Sequence, residues 1–462
     1  MNQKRYWKSL EELSDEAGYK KALQKEFREE LPFGESESFL DNSTPRRDFL
    51  KYLGFSLTAA TIASGCEIKV RKAIPYLNKP EDITPGVADY YASTYALDGD
   101  YCAILVKTRD GRPIKLEGNK LSSVTKGGTS ARVQGAVLSL YDVARLRYPM
   151  IDGVEATWEA LDKQVMQALA AAGTTPLVLL TTSILSPSIK QAIQELTTKY
   201  PSLKHITYDA VSYAGMLLAN ETSYGKRALP SYHFEQAKCI VSLGADFLGT
   251  WLSPVEFAKQ YSLTRKINQD KPEMSRHFQF ESYMSLTGAN ADYRFVHRPS
   301  ETPKVVLNLY NAVAGALGKP VISGVPALTD EKIAAGILQA GKTLAANPGA
   351  SLVVCGSNNP NEQLIVNAIN EMLGSGGKTI DFSSPLNYRQ GIDGDMAQLV
   401  EDMNTGKTGG VLIYGANPAY DYYDAQKFAD GLKKVKLSVS FNDRRDETTV
   451  LCHYAAPDSH FL

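Results

Sequence analysis

Four short apolar runs, broken only by Ser242, constrain this chain more than any other feature: residues 177–180, 239–243, 352–355 and 411–414, each followed by a helical pattern. A strand with one wet face alternates polar and apolar residues, so a run that is apolar throughout has to be covered on both faces. Short continuous strands, glycine turns and intervening helices together predict an α/β fold of parallel sheets. Ahead of them, Cys102-Ala103-Ile104-Leu105-Val106-Lys107, a turn at Asp110-Gly111 and Pro113-Ile114-Lys115-Leu116-Glu117 predict a hairpin. The 462 residues leave room for about three units of roughly 150 residues. The expected division is a leader at 1–43, a translocation signal at 44–66, a small mixed module at 67–150, and α/β units at 151–320 and 321–462.

Several apolar runs end in glycine turns: Gly244-Ala245-Asp246, Gly356-Ser357-Asn358-Asn359-Pro360 and Gly415-Ala416-Asn417-Pro418. In open parallel sheets such loops line the ligand crevice, because glycine lets backbone approach a ligand and the next helix offers free N–H groups. Any strand-to-helix turn also favours Gly, Asn and Pro, so each alone is equally plain turn chemistry. As a set they mark Gly244, Ala245, Asp246, Gly415, Asn417 and Pro418 as candidates for a nucleotide-type crevice.

Charge and cysteine content narrow the function classes. Fifty basic side chains against 51 acidic ones give a formal net charge of -1, which argues against a nucleic-acid partner. The five cysteines, Cys66, Cys102, Cys239, Cys355 and Cys452, are scattered, with no two within a dozen residues. Zinc ribbons and iron–sulfur centres need thiolates at short fixed spacings, because one loop must supply several of them. The histidines lack i,i+3 or i,i+4 spacing, so hydrogen-bonded rather than metal-bound rings are expected, and no metal is expected in this chain.

The front of the chain reads as an address. Thr44-Pro45-Arg46-Arg47-Asp48-Phe49-Leu50-Lys51 precedes a weakly apolar stretch of about a dozen residues, too short for a bilayer core of about 30 Å. Arg46 and Arg47 with Phe49, Leu50 and Lys51 form a twin-arginine export signal. Ile62-Ala63-Ser64-Gly65-Cys66 then offers Cys66 as a candidate for lipid attachment; simple signal cleavage is the other reading. The expected location is the periplasmic face of the cytoplasmic membrane.

From about Tyr95 onward the chain resembles the molybdopterin oxidoreductases. The resemblance rests on Asp110-Gly111-Arg112-Pro113-Ile114-Lys115-Leu116-Glu117-Gly118-Asn119, on Arg145-Leu146-Arg147-Tyr148-Pro149 followed by Thr157-Trp158-Glu159-Ala160-Leu161, and on the loops after 241–243 and 411–414. It implies Rossmann-type parallel-sheet units behind a small mixed N-terminal module. The departures concern ligands. Where catalytic relatives carry a four-cysteine cluster, Cys102 alone remains, and the late position falls at Gly128-Thr129-Ser130-Ala131. The metal-ligand position falls near Asp209-Ala210-Val211-Ser212; Asp209 is a weak candidate ligand and otherwise a helix cap. Glu281-Ser282-Tyr283 replaces an Asp-Pro-Arg nucleotide clamp, which removes the fork that holds an anionic cofactor.

The segment from Thr250 to Ser300, with the extended leader, is similar to the large iron–sulfur subunit of alternative complex III, a quinol-oxidising respiratory assembly. That resemblance implies a cofactor-free scaffold, with molybdopterin not expected and iron–sulfur clusters carried by a C-terminal region beyond Leu462, so the chain reads as a fragment. It further implies membrane-bound respiratory subunits as partners, a multihaem cytochrome c and quinol-binding membrane subunits among them. An active molybdopterin-dependent oxidoreductase with an unconventional metal ligand, and a ligand-binding lipoprotein, stay open as alternatives.

Overall fold

Each apolar run becomes a strand buried on both faces, central in its sheet for 177–180, 239–243 and 411–414 and at the edge for 352–355, and its side chains alternate between two packed layers. The computed structural model describes Thr84 and residues 86–97, 99–267 and 272–462. The leader, the signal residues Arg46, Arg47, Phe49, Leu50 and Lys51, and Cys66 lie outside the described residues.

One parallel sheet has the order β11-β10-β9-β12, built from β9 (Cys239–Leu243), β10 (Arg276–Glu281), β11 (Tyr293–Val296) and β12 (Ser351–Cys355). Along β9, Cys239, Val241 and Leu243 pack with the helices Thr302–Ala316, Glu331–Ala345 and Pro360–Met372, whereas Ile240 packs on the opposite layer with Phe234, Phe247 and Phe257. The second sheet has the order β5-β4-β16-β15-β14-β6-β7. Its parallel part comprises β6 (Leu177–Thr181), β7 (Leu203–Thr207), β14 (Gly410–Tyr414), β15 (Leu437–Ser440) and β16 (Tyr454–Ala455). The two-residue strands β4 (Met150–Ile151) and β5 (Val154–Glu155) close one edge in antiparallel fashion. Val178 and Leu180 face the layer that holds Met396, Leu399 and Phe428, while Leu177 and Leu179 face Leu161 and Leu169. Burial of each such side chain contributes roughly 1.5–3 kcal/mol, so the runs are committed to the interior.

Local chemistry starts the covering helices. Ser186 and Asn359 accept from the first-turn amides of Pro187–Lys199 and Pro360–Met372, and proline opens each helix where its missing N–H costs nothing. Thr157 does the same for Trp158–Ala172. The expected hairpin forms as β2 (Asp100–Arg109) and β3 (Arg112–Gly118), with β1 (Ala88–Leu97) paired on the other side of β2. Asp110 and Gly111 both take positive φ, 50° and 74°, as a two-residue turn of this hand requires. Among the described residues no helix is long and apolar enough to cross a membrane.

The expected boundary at 320/321 does not follow the sheets. Strand β12 comes from beyond it yet pairs with β9, and β14 pairs with β6, so each sheet draws strands from both sides. Periodicity reports which residues are buried within a strand; parallel partners are chosen across long crossovers that leave no local mark.

The two sides of this interleaving meet at Gly215, in the helix Ala214–Tyr224, where a β-carbon would lie 2.0 Å from the carbonyl oxygen of Asn358. Alanine in an open helical position would stabilise by up to about 1 kcal/mol over glycine. Here overpacking against backbone dominates, and Gly215→Ala is expected to destabilise by about 1–3 kcal/mol. Thermal unfolding measures this; a midpoint equal to or above that of the parent chain would refute the contact.

Candidate functional site

Both parallel sheets have a point where neighbouring strands continue in opposite directions, between β9 and β12 in one and between β6 and β14 in the other. Such points open a crevice beyond the carboxyl ends of the strands. In the first sheet the two loops touch: a β-carbon on Gly356 would lie 2.3 Å from the carbonyl oxygen of Gly244. Gly244 has φ +70°, and Ala245 behind it is fully buried. Asp246 Oδ1 accepts from the Thr287 amide at 3.0 Å and its hydroxyl at 2.8 Å, fastening this loop to the short helix Leu286–Ala289. In the second sheet the Gly415 amide donates to Asn442 Oδ1 at 2.9 Å. Asn417 Oδ1 accepts from the Thr448 amide at 3.1 Å and hydroxyl at 2.7 Å, and its Nδ2 donates to Glu447 at 2.8 Å. Pro418 is buried at the start of a four-residue helix. Each predicted loop is therefore fastened by its own neighbours.

Strand β10 carries the strongest electrostatics. Phe278 and Phe280 point to one face and stack on Tyr293 and Phe295 of β11, with centroids 4.7 and 4.9 Å apart. His277, Gln279 and Glu281 share the other face, as residues two apart in a strand must. Tyr261 Oη lies 3.1 Å from His277 Nδ1, His277 Nε2 lies 3.3 Å from Gln279 Oε1, and Gln279 Nε2 donates to Glu281 at 3.0 Å. Glu281, 2% exposed, also accepts from the Ser285 hydroxyl at 2.6 Å and pairs with the Arg294 guanidinium at 2.5 Å. Burial alone would raise its pKa; hydrogen bonds from Ser285, Arg294 and Gln279 outweigh burial and hold the carboxyl below its usual range. Burial pushes His277 down to about 4, so this ring is neutral near neutral pH.

The remaining predicted positions are held just as firmly. Asp209 is buried; one oxygen accepts from the Ser183 amide at 3.1 Å, the other from the Ser183 hydroxyl at 2.7 Å and the Gly391 amide at 2.8 Å. It caps no helix, since Ala214–Tyr224 begins at Tyr213 without a side-chain cap. Cys102 approaches the Gly128 carbonyl, 3.8 Å from its Sγ, so the segments compared with the first and last cluster cysteines do meet. Burial and then the charge of Asp100 push that thiol up to about 11, and no second cysteine lies between 67 and 150. A four-thiolate cluster does not fit this donor set. His297, His453 and His460 sit apart, against Thr302, Ser438 and Ser139. Among the described residues no group of three or more His, Cys, Asp or Glu is poised for a metal.

No family model matches the chain. It is 24% identical over 460 residues to the menaquinone reductase, molybdopterin-binding-like subunit of Nitratidesulfovibrio vulgaris (strain Hildenborough), a match covering 90% of this chain. The acetylene hydratase of Pelobacter acetylenicus shares the architecture with a TM-score of 0.59 at 12% identity, over 80% of this chain. The fold is that of the molybdopterin oxidoreductases. This chain spans 65% of the length of the first protein and 63% of the second. In the segment compared with the Asp-Pro-Arg clamp, Tyr283, exposed and neutral, stands at the arginine's place, and Glu281, buried and ionised, at the aspartate's. Sequence reasoning missed Arg294 and Ser285, the partners of Glu281; the alternation in His277-Phe278-Gln279-Phe280-Glu281 was the available sign of a strand with one polar face.

Two acid-sensitive groups on one strand give a sign that can be measured. The depressed Glu281 carboxyl contributes stability that is present above the ordinary carboxylate range and lost as pH falls through its folded value. His277 acts in the same direction: between the ordinary imidazole range and about 4 the unfolded chain takes a proton that the folded chain refuses. Stability of the parent chain should therefore fall as pH drops from about 6.5, more steeply than in His277→Gln. Arg294→Ala, which strands the buried carboxylate, should cost about 3 kcal/mol at neutral pH. Unfolding midpoints measured from pH 4 to 8 decide; parallel pH profiles for parent and His277→Gln would exclude the buried neutral ring.

Proposed function

We propose that this chain is a cofactor-free scaffold within a respiratory oxidoreductase that works on a quinone pool. The segment at the end of β10 carries this reading: the neutral, exposed Tyr283 takes the place of the arginine fork, and Glu281, at the place of the clamp's aspartate, is already engaged by Gln279, Ser285 and Arg294. Asp209, with both oxygens already accepting, and the lone protonated Cys102 support it from the metal side. The relative from Nitratidesulfovibrio vulgaris, named a molybdopterin-binding-like subunit of a menaquinone reductase, supports the respiratory setting.

On this reading the scaffold docks membrane-bound subunits, including a multihaem cytochrome c and quinol-binding membrane proteins, and the redox centres, iron–sulfur clusters among them, lie outside these 462 residues. The resemblance to the alternative complex III subunit favours quinol oxidation; the match to a menaquinone reductase subunit favours, as a second reading, quinone reduction by the same kind of scaffold.

Metal and cofactor analysis of the purified chain is the direct test. Molybdenum and extractable pterin are expected far below one equivalent, and stoichiometric amounts of either would overturn the scaffold. Affinity purification from detergent-solubilised membranes should recover haem-containing partners, and recovery of the chain alone would count against the assembly.

Location follows from the twin-arginine segment, which we propose exports the chain to the periplasmic face of the membrane, with Cys66 as the lipid-attachment candidate. Replacing Arg46 and Arg47 by lysine should retain the protein in the cytoplasm. Fractionation that still finds it outside would exclude this route.

A further inference from the structure

Next to the segment compared with the metal-ligand position lies a positive charge that nothing described neutralises. Arg389 is 8% exposed, and among the described residues it takes part in no ion pair. Its Nε is buried without any acceptor, and its one hydrogen bond runs from Nη1 to the Val211 carbonyl at 3.4 Å. A buried guanidinium left this way costs several kcal/mol unless a counter-charge accompanies it. The backbone reinforces the oddity, since Arg389 adopts φ +59°, a left-handed conformation that costs a side-chain-bearing residue about 1–2 kcal/mol.

Neighbouring contacts show that this posture is imposed. Gln390 donates its amide to the Ser183 hydroxyl at 2.7 Å and Gly391 to Asp209 at 2.8 Å, pinning the turn that presents Arg389. On the far side the guanidinium lies on Gly99, where a β-carbon would sit 2.3 Å from Nε and 2.4 Å from Cζ. The arginine is thus held from both directions between the front hairpin module and the 209–213 segment. Val211, whose carbonyl it touches, is 54% exposed, so the arginine lies directly beneath the surface.

We infer that Arg389 forms an anion site between the front hairpin module and the 209–213 segment, with a small oxoanion accepting from the unsatisfied edge of its guanidinium. A planar fork with free N–H donors matches two oxygens of such an ion side by side. The site goes beyond the scaffold reading and does not depend on it: molybdenum analysis reports on that reading, and anion binding at Arg389 on this one.

The test uses the full chain, with inorganic sulfate and its heavier analogue selenate as probes against chloride at matched ionic strength. Sulfate should raise the unfolding midpoint saturably, Arg389→Gln should abolish that rise, and Arg389→Lys, which keeps the charge but loses the fork, should weaken binding about tenfold. Because Arg389→Gln removes an unpaired buried charge, its midpoint in chloride should match or exceed that of the parent. A sulfate response of undiminished size in Arg389→Gln, or none in the parent chain, would overturn the site. Should the glutamine variant fail to fold, crystals of the parent chain soaked in selenate decide by anomalous scattering. A selenium peak within hydrogen-bond distance of Arg389 supports the site, and an ordered water alone in that place sinks it.

Discussion

The ion pair between Glu281 and Arg294 is the interaction around which the middle of this molecule is organised. Taking the Glu281 carboxylate out of water costs several kcal/mol, and the attraction of the partly exposed Arg294 repays it only if the remaining lone pairs are satisfied. They are: Ser285 and Gln279 donate to the same carboxylate, and Gly288 lies so near that a β-carbon would meet Glu281 Oε1 at 2.0 Å. One side chain thereby fixes the end of β10, the neighbouring strand β11 and the helix Leu286–Ala289. A hydrophobic replacement of equal volume could be as stable but would not set these three elements in one register. The strand is divided along its length, aromatic stacking on one face and a hydrogen-bonded polar row on the other.

The loops that follow the strands at both switch points are tied down by contacts within the fold. At the β9–β12 switch the loops approach through Gly244 and Gly356, with no room for a side chain on the second glycine. After β14 the fastening is polar, from Gly415, Ala416 and Asn417 to Asn442 and Thr448 beyond the neighbouring strand β15. Asp246 links the first closure to the Glu281 cluster, because Thr287, which donates to Asp246, sits two residues after Ser285. Ligand-binding loops usually leave amides free for a ligand; here several are donated to side chains of the same fold.

The parts of this architecture that local chemistry decides were legible in the sequence. The runs at 177–180, 239–243, 352–355 and 411–414 are strands because burial on both faces leaves no other use for them, and Asp110-Gly111 turns because Asp and Gly tolerate positive φ. The division at 320/321 was not legible, because pairing of β12 with β9 and β14 with β6 spans more than a hundred residues and carries no periodic mark. The site divides in the same way. Glu281 and Asp209 could be singled out by position, but their partners Arg294, Ser183 and Gly391 come from other elements. Arg389 carried no motif at all; its burial, left-handed backbone and contact with Gly99 exist only in three dimensions.

A fold that ordinarily closes over a large bound cofactor draws stability from it, about 4 kcal/mol when the ligand stands a thousandfold above its dissociation constant. A scaffold that holds none has to find that amount within its own chain. Hydrogen bonds that satisfy buried groups contribute about 0.5–1.5 kcal/mol each, so a handful suffices. Asp209 accepts three, Asp246 two from Thr287, and Asn417 two from Thr448, all at the carboxyl ends of parallel strands or beside them. On the scaffold reading these bonds are the replacement for the ligand. They would hold these loops fixed, where an oxidoreductase that turns over would need its loops free to admit a substrate.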